Sequence, residues 1–503
     1  MEEAVKRERA GRRLIGEESL CVVVPTYNNA STVAGVVERT YEYVRNIIIV
    51  NDGSTDTTSE ILRDLQQRLP VTVVSLPANC GKGRALTDGF KKAKKMGFRY
   101  AVTIDSDGQH FPEDIPLLVE AAEKNPDAII VGSRNLEGKD MSGGSLFANK
   151  FSNFWLCVQT GCRLPDTQTG FRLYPLHSLY GLKFITSRYE SELELLVYAL
   201  WHGVKAVPVP INVYYPPREE RVSHFRPGKD FTRISILNTV LCIGAVVYGY
   251  PRKLLSFLKA FVYSAYSLLF FIIGAFFLTI WSLIYFNIKR VDGERKLHYH
   301  RVLWRWAKYI SYHIPGVKFT LNNDRGETFD KPAVIICNHQ SHLDLMFTMM
   351  LTPKMVIMTN NWVWHNPIYG KIIRYADFCP ISEGMENSLP RIGELVEQGY
   401  SVLVFPEGTR SADCSILPFN KGAFYIAERL NLDILPLYLY GSGLVLPKHG
   451  RLLRKGEVYL ETGERIAPDN EAFGVGFRRR TRAFESHYKE KFEQIGYDRI
   501  NRN

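Results

Sequence analysis

The sequence predicts an α/β protein with two separate sheets and a membrane-associated helical segment between them. Three observations lead there. Short apolar runs alternate with helical stretches through residues 19–230. From Phe261 to Phe286 the chain reads FVYSAYSLLFFIIGAFFLTIWSLIYF, 26 residues without a charge. Beyond this stretch the strand–helix alternation resumes. A helix of that length spans about 39 Å, more than the ~30 Å hydrocarbon core of a bilayer. The core helix of a soluble domain rarely stays apolar for so long.

The 503 residues carry a formal charge of +11. That balance suits nucleic acid, anionic lipid or phosphorylated substrates. No nucleic-acid motif is present, and basic residues gather beside the apolar stretch, so a membrane is the expected partner and nucleic acid is not. The eight cysteines contain no metal-type Cys-x-x-Cys pair. Cys157 and Cys162 lie close, but no His or Cys cluster accompanies them, so reduced structural thiols are expected. Residues 1–18 form a charged leader without the apolar core of a signal peptide. The first half is therefore expected on the cytoplasmic side.

The elements follow in order. Leu20–Val24 is a buried-type strand ending at Pro25, and a helix runs from Ser31 to about Val44. Ile47–Val50 is a second strand, broken by Asn51-Asp52-Gly53-Ser54. A helix over Thr57–Arg68, a strand over Val71–Leu76, a helix over Arg84–Met96 and a strand over Tyr100–Ile104 continue the rhythm. This alternation predicts a mostly parallel sheet with helices on both faces. Ligands of such sheets sit beyond the carboxyl ends of the strands. The polar residues fall there: Pro25-Thr26-Tyr27-Asn28, then Asp52, then Asp105-Ser106-Asp107-Gly108-Gln109-His110. Singly each is an ordinary turn. Three at one sheet edge are a site, and two carboxylates one residue apart suit a hard divalent cation.

The blocks VPTYN, VNDGSTD, NCGKGRALTDGF and DSDGQH resemble the family 2 glycosyltransferases of GT-A fold, most closely the dolichyl-phosphate-mannose-synthase-like branch. The resemblance covers residues 19–230. It implies a Rossmann-like mixed sheet, a nucleotide-sugar donor and an inverting transfer. It further implies that Pro25, Tyr27 and Asp52 cradle base and ribose. Asp105 and Asp107, with Gln109, would hold Mg²⁺ or Mn²⁺ and the diphosphate. Asn51 departs from the acidic residue usual at its place. Gly81-Lys82-Gly83 lacks P-loop spacing; Lys82 approaches the donor or simply starts a solvated helix. Gly132-Ser133-Arg134, DTQTGFRLYP and RYESELELL extend the resemblance. One of Asp166 and Glu192 is the candidate base for an acceptor hydroxyl; a phosphate acceptor needs none. In RVSHFRPGKDFTRI, Arg221, His224 and Arg226 suit a diphosphate, or form a basic turn facing the membrane.

The middle, residues 231–294, holds two apolar segments. Ile234–Tyr250 has 17 residues and includes Asn238. It is expected to lie in the interface, dip into one leaflet, or supply a second crossing. Arg252, Lys253 and Lys259 precede the long stretch, and Lys289, Arg290, Arg295 and Lys296 follow it. With both flanks basic, both catalytic halves are expected to face the cytosol from the inner membrane. A bend near Gly274, returning the chain to the same side, is the preferred arrangement.

In the second half, Ala333–Cys337 reads as a strand that delivers Asn338-His339-Gln340-Ser341-His342-Leu343-Asp344. Asp344 can fix the His339 tautomer, leaving the other ring nitrogen to take a proton from a hydroxyl. His342 reads as local structure. Ser401–Phe405 delivers Pro406-Glu407-Gly408-Thr409-Arg410-Ser411, and Ile434–Leu437 is a further strand. NHxSxxD with FPEGTR resembles the glycerolipid acyltransferases of lysophosphatidate type over about residues 295–470. The resemblance implies acyl transfer from acyl-ACP or acyl-CoA to a lipid acceptor, with His339 as base and Asp344 as its orienter. Glu407, Gly408, Thr409 and Arg410 would bind the acceptor's polar head. The family's intermediate block usually ends in arginine, whereas FCPISEG has none. Arg478, Arg479, Arg480 and Arg482 read as a basic helix, solvated or at the membrane surface.

The expected organisation is a leader (1–18), a glycosyltransferase domain (19–230), membrane-associated helices (231–294) and an acyltransferase domain with a basic tail (295–503). The expected function is sugar and acyl transfer toward one glycolipid, of the aryl polyene or flexirubin type. The alternative is a polyprenyl-phosphate glycosyltransferase fused to a phospholipid acyltransferase with an unrelated acceptor.

Overall fold

The computed structural model of the chain describes residues 15–134, 143–179, 186–188, 190–215, 227–288, 292–367, 369–412 and 414–502. It divides into two compact units: residues 1–256 with 497–503, and residues 257–496. The boundary falls within a long helix.

The first unit is built on a seven-stranded sheet of order β3-β2-β1-β4-β6-β5-β7. Its strands are β1 (Leu20–Thr26), β2 (Ile47–Asn51), β3 (Thr72–Ser75), β4 (Tyr100–Thr103), β5 (Ile129–Arg134), β6 (Arg172–Pro175) and β7 (Ala206–Ile211). All neighbours are parallel except β6, which runs antiparallel to both β4 and β5. The apolar run CVVV of β1 is buried on both faces, as expected for a parallel strand with helices above and below. The order reverses around β1. Parallel register sets Pro25 beside Val50, and Val23 beside Thr103. The turns after β2, β1 and β4 therefore open at one edge of the sheet.

Helix Pro227–Gly244, a π-turn at Ala245–Gly249 and helix α2 (Tyr250–Ile288) follow without a break. The first of these helices is docked rather than free. Leu237, Asn238, Leu241, Ala245 and Gly249 are buried, and Gln159 donates from Nε2 to the Asn238 side-chain oxygen at 2.9 Å. The Trp201 indole lies in a groove made by two glycines. A methyl at Gly249 would stand 2.5 Å from its nitrogen. The opposite face exposes Ile236, Val240, Ile243 and Val247. Ile234–Tyr250 thus has one face on protein and exposes aliphatic side chains on the other.

Helix α2 (Tyr250–Ile288) runs unbroken past Gly274, so the expected bend is absent. Glycine serves packing there: a methyl would lie 2.9 Å from the Trp306 indole nitrogen. Trp306 belongs to helix α3 (Gly293–His313), which returns antiparallel along α2. The pairs Phe286–Tyr299, Trp281–Tyr299, Phe271–Trp306 and Phe270–Tyr309 form a ladder between them. Thr232–Ile288 is the one helix among the described residues long and apolar enough to cross a membrane.

The second unit holds another seven-stranded sheet, of order β11-β10-β12-β9-β13-β14-β8. Its strands are β8 (Val317–Asn322), β9 (Ala333–Cys337), β10 (Met355–Thr359), β11 (Cys379–Pro380), β12 (Ser401–Val404), β13 (Asp433–Tyr440) and β14 (Gly456–Thr462). Only the β13–β14 pair is antiparallel. The last long helix, α4 (Phe477–Arg502), buries Phe484, Tyr488, Phe492 and Ile495 at helical spacing in this unit's core. Arg478, Arg479 and Arg482 lie on its exposed side. The basic tail is therefore one face of a core helix. Its Tyr488 hydroxyl accepts from the Asn338 backbone N–H at 3.0 Å and meets the Asn338 Oδ1 at 2.9 Å and the Leu437 carbonyl.

Tyr488→Phe removes this buried hydroxyl and leaves the Asn338 N–H unpaired. It should lower the unfolding free energy of the second unit by about 1–3 kcal/mol. Urea unfolding followed by near-ultraviolet circular dichroism measures this. An unchanged midpoint and slope would show that Tyr488 does not hold the β9 turn.

Candidate functional sites

At the first sheet edge the three expected acidic positions have different tasks. Asp52 follows β2 and accepts backbone N–H bonds from Cys80 (2.7 Å) and Gly81 (2.8 Å). It thereby seats the turn that starts helix α1 (Lys82–Lys95). Burial raises its pKa, against those two donors. Gly53 has φ +68°, and a side chain there would strike the Ala78 backbone. Asn51 bridges Ser59 and the Ser54 N–H, a polar structural role open to an amide. Pro25 is the penultimate residue of β1, beside Val50 of β2, its carbonyl accepting from the Ser106 hydroxyl at 3.0 Å, and Tyr27 is half-buried just beyond the strand.

Lys82 lies at the centre. Its ammonium is 2.7 Å from Asp105 Oδ1 and 2.9 Å from Glu192 Oε2. Burial opposes its charge, but the two carboxylates outweigh it and raise its pKa. Burial likewise opposes the Asp105 charge, yet Lys82 and His110 hold that pKa down. Asp107, without such a partner, is pushed up to about 6 by burial and by Asp105. A methyl at Gly170 would lie 2.4 Å from Asp105 Oδ2 and 2.7 Å from Lys82 Nζ, so only glycine leaves this space. Gln109 turns back on Asp107, its N–H donating to Oδ1 at 3.0 Å.

Among the described residues no three His, Cys, Asp or Glu side chains close around a metal. The set Asp105, Asp107 and the Gln109 amide still fits a hard divalent cation that keeps waters or ligand oxygens. Adjacent carboxylates, one with its charge disfavoured, gain most from such an ion.

The two candidate bases differ. Asp166 is fully buried and takes a two-point grip from Arg134 (2.6 and 3.0 Å), with further bonds from Asn149 and the Gln168 N–H. Its pKa is lowered, Arg134 and the other donors overcoming burial. Glu192 keeps one buried oxygen, Oε1, without a hydrogen-bond partner. Sequence reasoning missed Arg172, which is 1% exposed and ties the carbonyls of Thr167, Thr169 and Glu192 together. Arg221, His224 and Arg226 lie outside the described residues.

At the second sheet edge, β9 delivers His339. Its Nδ1 donates to Asp344 Oδ2 at 3.0 Å, and its ring stacks on Phe405 at 4.4 Å. The same oxygen accepts the N–H groups of Gln340 (2.6 Å) and Ser341 (2.8 Å), so the Asp344 position is over-determined. The ring's Nε2 is the nitrogen left for chemistry. Glu407 points inward: one oxygen accepts the His339 N–H at 2.7 Å, the other the Leu417 N–H at 2.9 Å. Gly408 adopts φ +68°, and Thr409 and Arg410 face the opening. His342 is exposed beside them, its pKa lowered by desolvation and by Arg410.

Burial pushes Glu407 up to about 7 despite its two donors. A raised carboxyl pKa favours the folded state at low pH, and that advantage fades between about 4.5 and 7 as the group ionises. Thermal unfolding of the wild type should thus lose midpoint across this window by more than Glu407→Gln does. Parallel pH profiles for the two proteins would show that Glu407 does not titrate there.

A family model described as glycosyl transferase family 2 matches residues 21–158, and one described as acyltransferase matches residues 317–440. A UDP-N-acetylglucosamine–dolichyl-phosphate N-acetylglucosaminyltransferase from Methanococcus voltae is 29% identical, over 40% of this chain and 88% of that one. The polyprenol monophosphomannose synthase of Mycolicibacterium smegmatis is 30% identical, over 40% of this chain and 79% of its own. A 1-acyl-sn-glycerol-3-phosphate acyltransferase from Chlamydomonas reinhardtii is 30% identical, over 44% of this chain and 67% of its own. Other acyltransferase relatives are spanned over about half their length. With one model and one relative set falling on each sheet, the chain is an enzyme that belongs to the family 2 glycosyltransferases in its first half and to the lysophosphatidate-type acyltransferases in its second.

Proposed function

We propose that the chain is a bifunctional membrane enzyme that transfers a sugar from a nucleotide-sugar donor and an acyl chain from an acyl thioester, both toward one glycolipid. The observation that carries this is the presence of two complete constellations in one chain, Asp52–Lys82–Asp105–Glu192 and His339–Asp344–Glu407–Arg410, each fixed by its own sheet. The proposed extents are 19–230 for sugar transfer, 231–294 for membrane association and 295–503 for acyl transfer.

In the first site Pro25, Tyr27 and Asp52 bound the base and ribose pocket. Asp105, Asp107 and Gln109 would hold Mg²⁺ or Mn²⁺, which supplies charge neutralisation for a departing diphosphate. Lys82 places a second positive charge there. Glu192 Oε1 is available to take a proton from an acceptor hydroxyl. In the second site His339 Nε2 takes the proton of the lipid hydroxyl as its oxygen attacks the thioester carbonyl. The new C–O bond replaces the C–S bond, and the proton passes to the departing thiolate. Asp344 holds the imidazolium formed on the way. Either acyl-CoA or acyl-ACP would serve as donor, and an aryl polyene or flexirubin type of lipid would serve as acceptor. Relatives named for dolichyl or polyprenyl phosphate favour a second reading, a polyprenyl-phosphate acceptor for the sugar and a separate phospholipid for the acyl chain.

The paired variants Asp107→Ala and His339→Ala test the reading, by mass spectrometry of membrane lipids and in vitro transfer. Asp107→Ala should stop sugar transfer and spare acyl transfer. His339→Ala should reduce acyl transfer roughly 10²–10⁴-fold and spare sugar transfer. One lipid lacking the sugar in the first variant and the acyl chain in the second supports a shared product; two unrelated lipids support the second reading. Wild-type transfer in either variant would remove its site.

Both halves are proposed to face the cytosol from the inner membrane. Helix α2 supports this, because the second unit packs along it: Leu453 N–H bonds Ser264, Tyr263 lies against Gly316, and Phe286 stacks on Tyr375. A helix bound to an α/β domain at both ends of its apolar stretch lies along one leaflet, since the domain cannot enter hydrocarbon. Single cysteines at Arg252 and Glu294 in a cysteine-free background should resist an impermeant thiol reagent in intact cells. Labelling of either from outside would place that flank across the membrane.

A further inference from the structure

We propose that Lys82 is the resident counter-cation of the first site. It competes with a divalent cation for Asp105, so the site takes that cation together with a nucleotide diphosphate and only weakly without one. The inference deepens the glycosyltransferase reading and rests on it for the ligand class. Lys82 stands in a Gly-Lys-Gly turn, and the fold holds that turn from two sides. Asp52 accepts the N–H groups of Cys80 and Gly81 just before it. On the other side a methyl at Gly83 would lie 1.7 Å from the Ser191 hydroxyl oxygen. Helix α1 and the helix Ser191–Trp201 therefore start against each other. Their approach lets one ammonium bridge two carboxylates far apart in sequence, Asp105 Oδ1 at 2.7 Å and Glu192 Oε2 at 2.9 Å.

Asp105, Asp107 and Glu192 all act on this ammonium. The neighbouring arginines are committed elsewhere. Arg134 is gripped by Asp166, and Arg172 serves the carbonyls of Thr167, Thr169 and Glu192. Lys82 alone of these three cations sits on a proposed metal ligand, where it takes up an oxygen that a hard cation would coordinate. A divalent ion arriving by itself meets a positive charge on its own ligand. The side chains of Lys82 and Asp105 are only 16% and 24% exposed, so water does little to weaken that repulsion. A diphosphate reverses the balance, because its oxygens give both cations an anionic partner. The lysine backbone is fixed at the helix start while its stem is flexible, so the ammonium can exchange Asp105 for a phosphate oxygen without moving the turn. Glycine at 170 keeps the surroundings open: a methyl there would lie 2.7 Å from Nζ. The exchange also releases Oε2 of Glu192, whose Oε1 has no hydrogen-bond partner already. The candidate base is then unmasked only when the donor is bound.

The full-length chain in detergent micelles is titrated with Mn²⁺ alone and with Mn²⁺ plus UDP or GDP, free Mn²⁺ being read by electron paramagnetic resonance. The wild type should bind Mn²⁺ about 10-fold more tightly, or better, when the nucleotide diphosphate is present. Lys82→Met should tighten binding of Mn²⁺ alone about 10-fold and weaken binding of Mn²⁺ with the nucleotide. Lys82→Arg should restore the wild-type order. The opposite signs separate this role from a merely structural one, in which both affinities fall together. A natively folded Lys82→Met protein that binds Mn²⁺ alone no more tightly than the wild type overturns the exchange and leaves the glycosyltransferase reading standing. A wild type that takes up no Mn²⁺ even with UDP or GDP overturns the metal reading of Asp105 and Asp107, and the inference with it.

Discussion

Backbone N–H groups that leave the ends of buried parallel strands need acceptors, and in both units carboxylates supply them. Asp52 accepts from Cys80 and Gly81, Asp344 from Gln340 and Ser341, and Glu407 from His339 and Leu417. A buried N–H without a partner costs about as much as a lost hydrogen bond, so each loop is held where its carboxylate stands. The shape of each site follows from this constraint. His339 can be aimed because its own N–H is anchored by Glu407 and its ring by Asp344. Lys82 can reach Asp105 because Asp52 seats the turn before its helix.

The same commitments decide which charges are left over. Carboxylates used on backbone groups are not available to neutralise cations. In the second unit this leaves Arg410 and Lys448 without acidic partners among the described residues. In the first, Lys82 is neutralised by Asp105 and Glu192, while Asp107 remains with a raised pKa. The two openings thus carry opposite electrostatic signs, carboxylate oxygens in one and the Arg410 and Lys448 cations in the other.

The apolar helix is shaped by packing as much as by hydrophobicity. One side of α2 carries Ala275, Ser282 and Phe286 into the second unit's core, and the other side exposes Leu268, Leu269, Phe276 and Phe277. Small residues on the buried side let α3 approach, and Trp306 fills the groove at Gly274. Helix α3 exposes Arg301, Arg305 and Lys308 on its far side. A pair with one basic and one apolar surface suits the boundary between head groups and acyl chains.

Most strands of both sheets were legible in the sequence, because buried parallel strands are short β-branched runs that end in turn residues. Asp105, Asp107, His339 and Asp344 were legible for a related reason: they sit immediately after such runs, where a parallel sheet must present its ligand-facing loops. What the sequence could not decide is how each polar side chain divides its hydrogen bonds. Asp166 and Glu192 look alike as candidate bases, but only the fold puts Arg134 and Asn149 on the first and leaves an oxygen of the second unpartnered. The acidic residue of FPEGTR reads as a ligand for the acceptor; the fold turns it onto the His339 backbone. Gly274 reads as a hinge, and the fold makes it a contact for Trp306. The tail reads as a basic helix, but its buried face, with Tyr488 on Asn338, depends on residues 150 positions apart. Local pattern determined where the chemistry-bearing residues lie along the chain; long-range packing decided which of their atoms remain free to act.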